Sequence, residues 1–146
     1  MEWVWSNSLK GRKIEISENG KTINVKNNVD SVAMVDVPMS EGKYFWKIKL
    51  DNIRDKSGLR IGVAERNLDL NSEVDKKGFW GIAPGLANKI VKGCSKTAWG
   101  KKGTSGDVVE VELEFVNSKG TLSFSINGES LGVLCSDLDP PLYPVA

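Results

Sequence analysis

Glu110, Glu112 and Glu114 stand two residues apart in the stretch GDVVEVELEF, residues 106–115. On a strand all three side chains point the same way. Carboxylates paired on one face can cleave a glycosidic bond, one as acid and another as nucleophile or base. The three glutamates also read as the wet side of a strand, because Val109, Val111, Leu113 and Phe115 alternate with them. A buried row of three carboxylates would repel itself, a cost that a solvent-facing row avoids. Other chemistries are closed by composition. The chain has no histidine and two cysteines, Cys94 and Cys135. Ser-His-Asp and Cys-His catalysis are therefore out, and too few ligands remain for an ordinary structural zinc site. The glycine-rich GTSG at 103–106 lacks the Walker pattern, has no helix after it, and reads as a turn.

The elements that position these residues belong to one domain spanning 1–146, since 146 residues can bury one core and are too few for two ordinary ones. Twenty basic against 19 acidic residues leave a net charge of +1, whereas a nucleic-acid binder carries a basic excess. Lys76-Lys77 and Lys101-Lys102 are too short to form a basic patch. No apolar leader follows Met1, no apolar run approaches the length of a membrane span, and there is no Asn-x-Ser/Thr sequon. Two cysteines are too few for a disulfide framework and read as reduced thiols. The expectation is an intracellular protein, cytoplasmic or nuclear, with no nucleic acid, membrane, metal or cofactor to bind.

Strand follows strand along the chain. KIEIS (13–17) and KTINVK (21–26) flank Asn19-Gly20, a hairpin signal. VAMVDV (32–37) runs into Pro38, and GKYFWKIKL (42–50) alternates Tyr44, Trp46, Ile48 and Leu50 with Lys47 and Lys49. GLRIGVAER (58–66), GFWGIAPG (78–85), KIVKG (89–93) and TAWG (97–100) follow. DVVEVELEFV (107–116) is the longest strand, and TLSFSI (121–126) and ESLGVL (129–134) pair across Asn127-Gly128. No stretch of helical length carries apolar residues at helical spacing; Asn67–Lys77 has only Leu68, Leu70 and Val74. Many short strands with regular turn signals give an all-β chain, a sandwich or a barrel.

The order of these motifs resembles the SPRY domain, the core of the B30.2 family, from about Ile14 to Ala146. GKYFWKIKL, GLRIGVA, GFWGI and GDVVEVELEF come in its order. The most specific piece is GTLSFSINGESLGVLCSDLDPPLYPV. The resemblance implies a bent β-sandwich of two antiparallel sheets, a concanavalin-like jelly roll. It also makes the glutamate strand scaffold. It implies a eukaryotic, non-catalytic module that binds a partner protein or short peptide through loops at one end, often as the substrate-choosing part of a ubiquitin ligase or in a scaffold protein. The rival is a jelly roll that binds or cleaves carbohydrate through Glu110, Glu112 and Glu114, whose pattern is similar to the Glu-x-Asp-x-Glu strand of β-jelly-roll glycosidases. A third reading is a purely structural domain of a larger assembly.

Carried over loop by loop, the resemblance points to two segments. Peptide-binding relatives use the loop after the early hairpin, here Lys26, Asn27, Asn28, Val29, Asp30 and Ser31. Asn27, Asn28 and Asp30 would hydrogen-bond a peptide backbone, and Lys26 would pair with an acidic side chain. They also use the loop after Ile-Gly-Val-Ala, here Asn67 to Lys77, with Arg66, Asn67 and Asp69 as candidates. Asn and Asp favour turns in any case. Both loops are expected on one shared surface. Trp46 and Trp80 read as core, Trp3 and Trp5 as a cover for one end of it, and Trp99, between glycines in TAWGKKG, as an exposed binding anchor. In two places the chain departs from the family pattern. It stops at Leu142–Ala146, where the family continues into one or two more strands, so an open sheet edge able to pair with another chain is expected. Leu59-Arg60 stands where the family often has a tryptophan, and a smaller side chain is expected to pack there.

Overall fold

Strands with two dry faces and strands with one dry face sort into different sheets. The computed structural model describes residues 3–12, 14–25, 32–51, 59–71, 78–92 and 97–146. Its elements are β1 (Ile14–Ile16), β2 (Ile23–Val25), β3 (Gly42–Lys49), β4 (Ile61–Ala64), β5 (Phe79–Ala83), β6 (Asn88–Ile90), β7 (Thr97–Ala98), β8 (Val108–Val116), β9 (Lys119–Ile126), β10 (Glu129–Leu138) and β11 (Tyr143–Val145). Among the described residues there is no helix. The strands form a β1-β2 hairpin, a four-stranded sheet in the order β10-β9-β8-β3 and a five-stranded sheet in the order β11-β4-β5-β6-β7. All strand pairs are antiparallel.

β4 and β5 are buried at every position. Ile61, Val63, Trp80 and Ile82 face the four-stranded sheet, against Val111, Leu113, Leu122 and Phe124. Ala64, Phe79 and Ala83 face the other way, into a second cluster with Val32, Met34, Leu68, Ile90, Tyr143 and Val145. The four-stranded sheet has one dry side, so β8 and β9 alternate buried and accessible residues.

At the centre of the five-stranded sheet Gly62 lies opposite Gly81. A Cβ added at Gly81 would fall 2.2 Å from the Ile61 carbonyl and 2.6 Å from Phe79 Cζ; one added at Gly62 would fall 2.1 Å from the Trp80 carbonyl. Only glycine lets the two backbones approach this closely.

The turns depart in detail from the sequence expectation. Asn127-Gly128 closes β9–β10 with both residues at positive φ, +51° and +80°, the two-residue turn expected. Asn19-Gly20 also lies in a hairpin, but the loop has four residues, closed by Ser17 N–H to Thr22 O at 2.9 Å. Asn19 Oδ1 accepts from Ser17 Oγ at 2.6 Å and from Lys21 N at 3.0 Å, which holds the wider turn. The strand expected over 32–37 is reduced to bridges, Ala33 with Lys10 and Met34 with Val145. Val37 N–H turns back to Val35 O at 2.8 Å, a γ-turn that ends any ladder. The far edge of β11 is not open: Ala33 exchanges backbone bonds with Ala146, and Val35 N–H reaches Pro144 O at 3.0 Å.

The glycine pair gives a direct stability test. Gly81→Ala should destabilise by about 1–3 kcal/mol or more through overpacking, roughly 4–10 °C in thermal melting for a domain of this size. Gly78→Ala, whose Cβ would lie 3.4 Å from the Glu65 side chain, should stay within about 0.5 kcal/mol.

Candidate functional site

On the outer face of the four-stranded sheet the register places residues in rows. Phe45, Glu112, Ser123 and Val133 are successive partners across the strands; Lys47, Glu110, Ser125 and Ser130 make the next row. A shallow depression of about 250 Å³ lies there, lined by Phe45, Glu110, Glu112, Ser123, Phe124, Ser125 and Ser130. Its carboxylates are already engaged. Glu112 Oε1 is 3.3 Å from Lys43 Nζ, and Glu110 Oε1 accepts the Gly128 N–H at 2.9 Å, tying β8 to the β9–β10 turn. Glu114 is exposed, opposite Lys43 and Thr121. Trp46 and Trp99 pack on the inner side, with Trp80 in the core between the sheets, so none of the three lines this depression. Its exposed ring is Phe45, with Lys47 Nζ 5.9 Å from the centroid.

The same turn is braced from below. Asn127 Nδ2 donates to Asp107 Oδ1 at 2.9 Å, and Asn127 Oδ1 accepts from Val108 N at 2.9 Å. Thr104 N–H donates to Asp107 Oδ2 at 2.9 Å. The Asn127 amide first, and the Thr104 backbone second, hold the Asp107 carboxyl below its ordinary value.

Over the second core cluster a different surface gathers. Leu68 is buried and Leu70 half-buried in the second core cluster, which leaves Asn67, Asp69 and Asn71 exposed. Asp69 Oδ1 accepts the Asn71 N–H at 3.0 Å, and Asn71 Oδ1 accepts the Arg12 N–H at 2.7 Å. Arg66 Nε sits 3.8 Å from Asp36 Oδ1, with both side chains about half exposed. An ion pair this exposed contributes little to stability, and its groups remain open to a ligand. Val32 N–H donates to Leu70 O at 3.0 Å. Three chain segments, 10–12, 32–36 and 66–71, thus meet on one patch.

Of the residues singled out from sequence, Arg66, Asn67 and Asp69 come together here. Lys26, Asn27, Asn28, Val29, Asp30 and Ser31 lie outside the described residues, as does 72–77. Val32, next after Ser31, is tied to the patch by its bond to Leu70. Trp99 lies elsewhere, and its ring is half-buried where exposure was expected: it meets Phe124 edge-on at 6.3 Å and 80°. Trp3 meets Trp46 at 5.4 Å with the rings tilted by 51° and packs against the first core cluster, whereas Trp5, expected beside it, joins neither cluster. Leu59 packs against the same core. Sequence reasoning missed Asp36 and Arg12, and named Asn71 only as part of the Asn67 to Lys77 loop. Asp36 had a signal, the one charge within VAMVDV; Arg12 contributes a backbone group, which side-chain type cannot announce.

Cys135 is a free thiol. Burial pushes its pKa up to about 12, so it stays protonated at neutral pH and is a poor nucleophile. Cys94 lies outside the described residues. Among the described residues no group of His, Cys, Asp and Glu is placed to hold a metal, and no helix is long and apolar enough to cross a membrane.

Comparison with known proteins matches residues 43–146 to the family model described as SPRY domain. Ran-binding protein 10 of Danio rerio is 26% identical over 148 aligned residues, covering 96% of this chain and 24% of that protein. Ran-binding protein 9 of Homo sapiens is 25% identical, covering 96% of this chain and 20% of its own length. The chain thus spans about a quarter or less of these relatives. The crystal structure of the SPRY domain of human HERC1 superposes with a TM-score of 0.81 at 20% identity, covering 97% of this chain and 87% of that one. A further human SPRY domain gives a TM-score of 0.68 at 18% identity, covering 92% of this chain and 87% of that one.

The braced turn titrates in a defined direction. Asp107 is lowered from 3.8, so its contribution is fully present above that value and is lost as pH falls through the lower folded value. Acid unfolding followed by circular dichroism should show wild type losing its margin over Asp107→Asn below about pH 4, and the two curves should run parallel above pH 5.

Proposed function

The chain belongs to the SPRY domain family, and on that footing we propose that it is a non-catalytic interaction module that takes a partner protein or short peptide at the loop patch at one end of the sandwich. SPRY domains serve generally as protein-interaction modules, and the sandwich is a rigid frame for such loops. The observation that carries the reading is the convergence of three segments around Arg66, Asp36, Asp69 and Asn71, anchored from beneath by Leu68 and Leu70. Charged and amide groups held open on a fixed backbone suit a peptide's own amides and side chains. Lys26, Asn27, Asn28, Val29 and Asp30 are proposed to extend the patch through the link at Val32. Pairing through a sheet edge would give the same module a second mode of contact. The free thiol of Cys135 suits a reducing, cytoplasmic or nuclear setting, and a role in choosing substrates for a ubiquitin ligase belongs to the same proposal.

The carbohydrate reading has one observation in its favour, the depression beside Phe45, Glu110 and Glu112. Against it, Glu110 is committed to the Gly128 turn and Glu112 to Lys43. A glycan array is its direct check. The relatives' name ties those proteins to Ran, and purified Ran is accordingly one bait worth including.

Affinity capture from a cell lysate, read by mass spectrometry, should compare three baits of equal melting temperature: wild type, Arg66→Ala/Asp69→Ala, and Asn27→Ala/Asn28→Ala/Asp30→Ala. A partner should be recovered by wild type and fall at least about fivefold with either variant, as expected when residues worth more than 1 kcal/mol are truncated. Equal recovery by all three would remove the loop patch as the site. Ubiquitin-ligase subunits among the lost proteins would support the finer role.

A further inference from the structure

Asparagine followed by glycine occurs twice in the chain, at Asn19-Gly20 and Asn127-Gly128. The pair is reactive in itself. Glycine has no side chain to hinder its backbone nitrogen as it approaches the asparagine amide carbon. Both steps sit in hairpin turns with the asparagine exposed, yet the two turns hold them differently.

Asn127 is held at every group the reaction needs. The attacking nitrogen, Gly128 N, donates to the Glu110 carboxylate at 2.9 Å, a charge-assisted bond that resists loss of the proton. The departing nitrogen, Asn127 Nδ2, donates to Asp107 Oδ1, and Asn127 Oδ1 accepts from Val108 N. The turn joins strands of eight and ten residues. The lock on Asn19 is weaker. Gly20 N–H donates to the neutral carbonyl of Ser17 at 2.9 Å, inside the same loop. Among the described residues nothing holds Asn19 Nδ2. Ser17 Oγ and Lys21 N both donate to Asn19 Oδ1, at 2.6 Å and 3.0 Å, where they would stabilise the charge that an attack puts on that oxygen. The loop closes a sheet of two three-residue strands, which opens at lower cost than the four-stranded sheet.

We propose that Asn19 is a site of spontaneous modification, converting to isoaspartate through a cyclic imide, and that the product loosens the N-terminal cover of the core. Gly20 N loses its proton to solvent base and bonds to Asn19 Cγ. The Cγ–Nδ2 bond breaks, and the amide nitrogen takes up a proton and leaves as ammonia. Water then opens the imide. Attack at Cγ gives aspartate; attack at the Asn19 main-chain carbonyl carbon gives isoaspartate, with the chain running through the former side chain. No oxidant or reductant is required. The contacts around the turn leave little room for that product. Gly20 O accepts the Trp5 N–H at 2.8 Å, and Val4 Cβ lies 2.7 Å from where a Gly20 Cβ would stand. Isoaspartate adds a backbone methylene beside these contacts. The segment it displaces carries Trp3, whose ring packs on Tyr44 and Trp46.

The test ages the 146-residue chain at neutral pH, beside the free peptides IEISENGK and SFSINGES, with tryptic digestion and mass spectrometry as the readout. Asn19 should convert within about threefold of the rate in its free peptide, and Asn127 at least about tenfold more slowly than in its own. Equal suppression at the two sites, or faster loss at Asn127, would overturn the proposal. Glu110→Ala should speed conversion of Asn127 at least about threefold and leave Asn19 unchanged; the absence of any rise would show that bonding does not set the rate, and would count equally against it. In the isoaspartyl fraction, hydrogen exchange across 3–9 should quicken at least about fivefold. Asn19→Asp, which adds the charge without the methylene, should exchange there like wild type. Unchanged exchange across 3–9 in the aged fraction would remove the structural half of the proposal. The wild-type comparison decides the matter even if Glu110→Ala does not fold.

Discussion

A sheet with no wet face has to be covered twice, and most of this molecule follows from that. β4 and β5 carry no polar residue, so one side must find another sheet and the other must find whatever the chain can supply. The four-stranded sheet takes the first side. The second is taken by Val32, Met34, Leu68, Leu9 and Leu70, which are not in strands. Burying a side chain of this kind contributes about 1.5–3 kcal/mol, enough to pull loops down onto the sheet. The loops that do so leave their polar residues outside, and the candidate patch is the outer surface of that covering layer. Structure and proposed function share one cause.

The four-stranded sheet obeys the opposite rule. Its outer side is wet, and its charges are spent on itself. Lys43 meets Glu112, Glu110 holds the Gly128 turn, and the Lys101 and Glu129 side chains pair, as do those of Lys119 and Asp139. Asp107 and Asn127 lock the end of β8 to the next hairpin. These bonds engage two of the three carboxylates in the row, Glu110 and Glu112, in holding the sheet together.

Much of the fold was legible in the sequence because one-sided strands carry their own period. Glu110 to Phe115 and Tyr44 to Leu50 announced both strand and face. Two-sided strands such as IGVA and FWGIA announced burial through unbroken apolar runs, but not which residue faced which cluster. VAMVDV was misleading for a physical reason: its apolar residues are buried as a cover, without a ladder, and a run of valines cannot distinguish the two. Trp99 misled because neighbouring glycines suggested exposure, while the indole packs half-buried against Phe124. The patch was half legible. Arg66, Asn67 and Asp69 were marked by loop position and polarity. Asp36 and Arg12 joined them through tertiary contacts that no local pattern encodes.

The central claim is that ligand contact happens at the loop patch that covers the second core cluster. Hydrogen exchange by mass spectrometry, on the domain alone and with a captured partner at saturation, tests it most directly. The account predicts slowed exchange across 32–36 and 66–71, with the outer face around Glu110, Glu112, Ser123 and Ser125 unchanged. Slowing confined to that outer face, with the loop segments exchanging as in the free domain, would contradict it and return the three glutamates to the centre of the question.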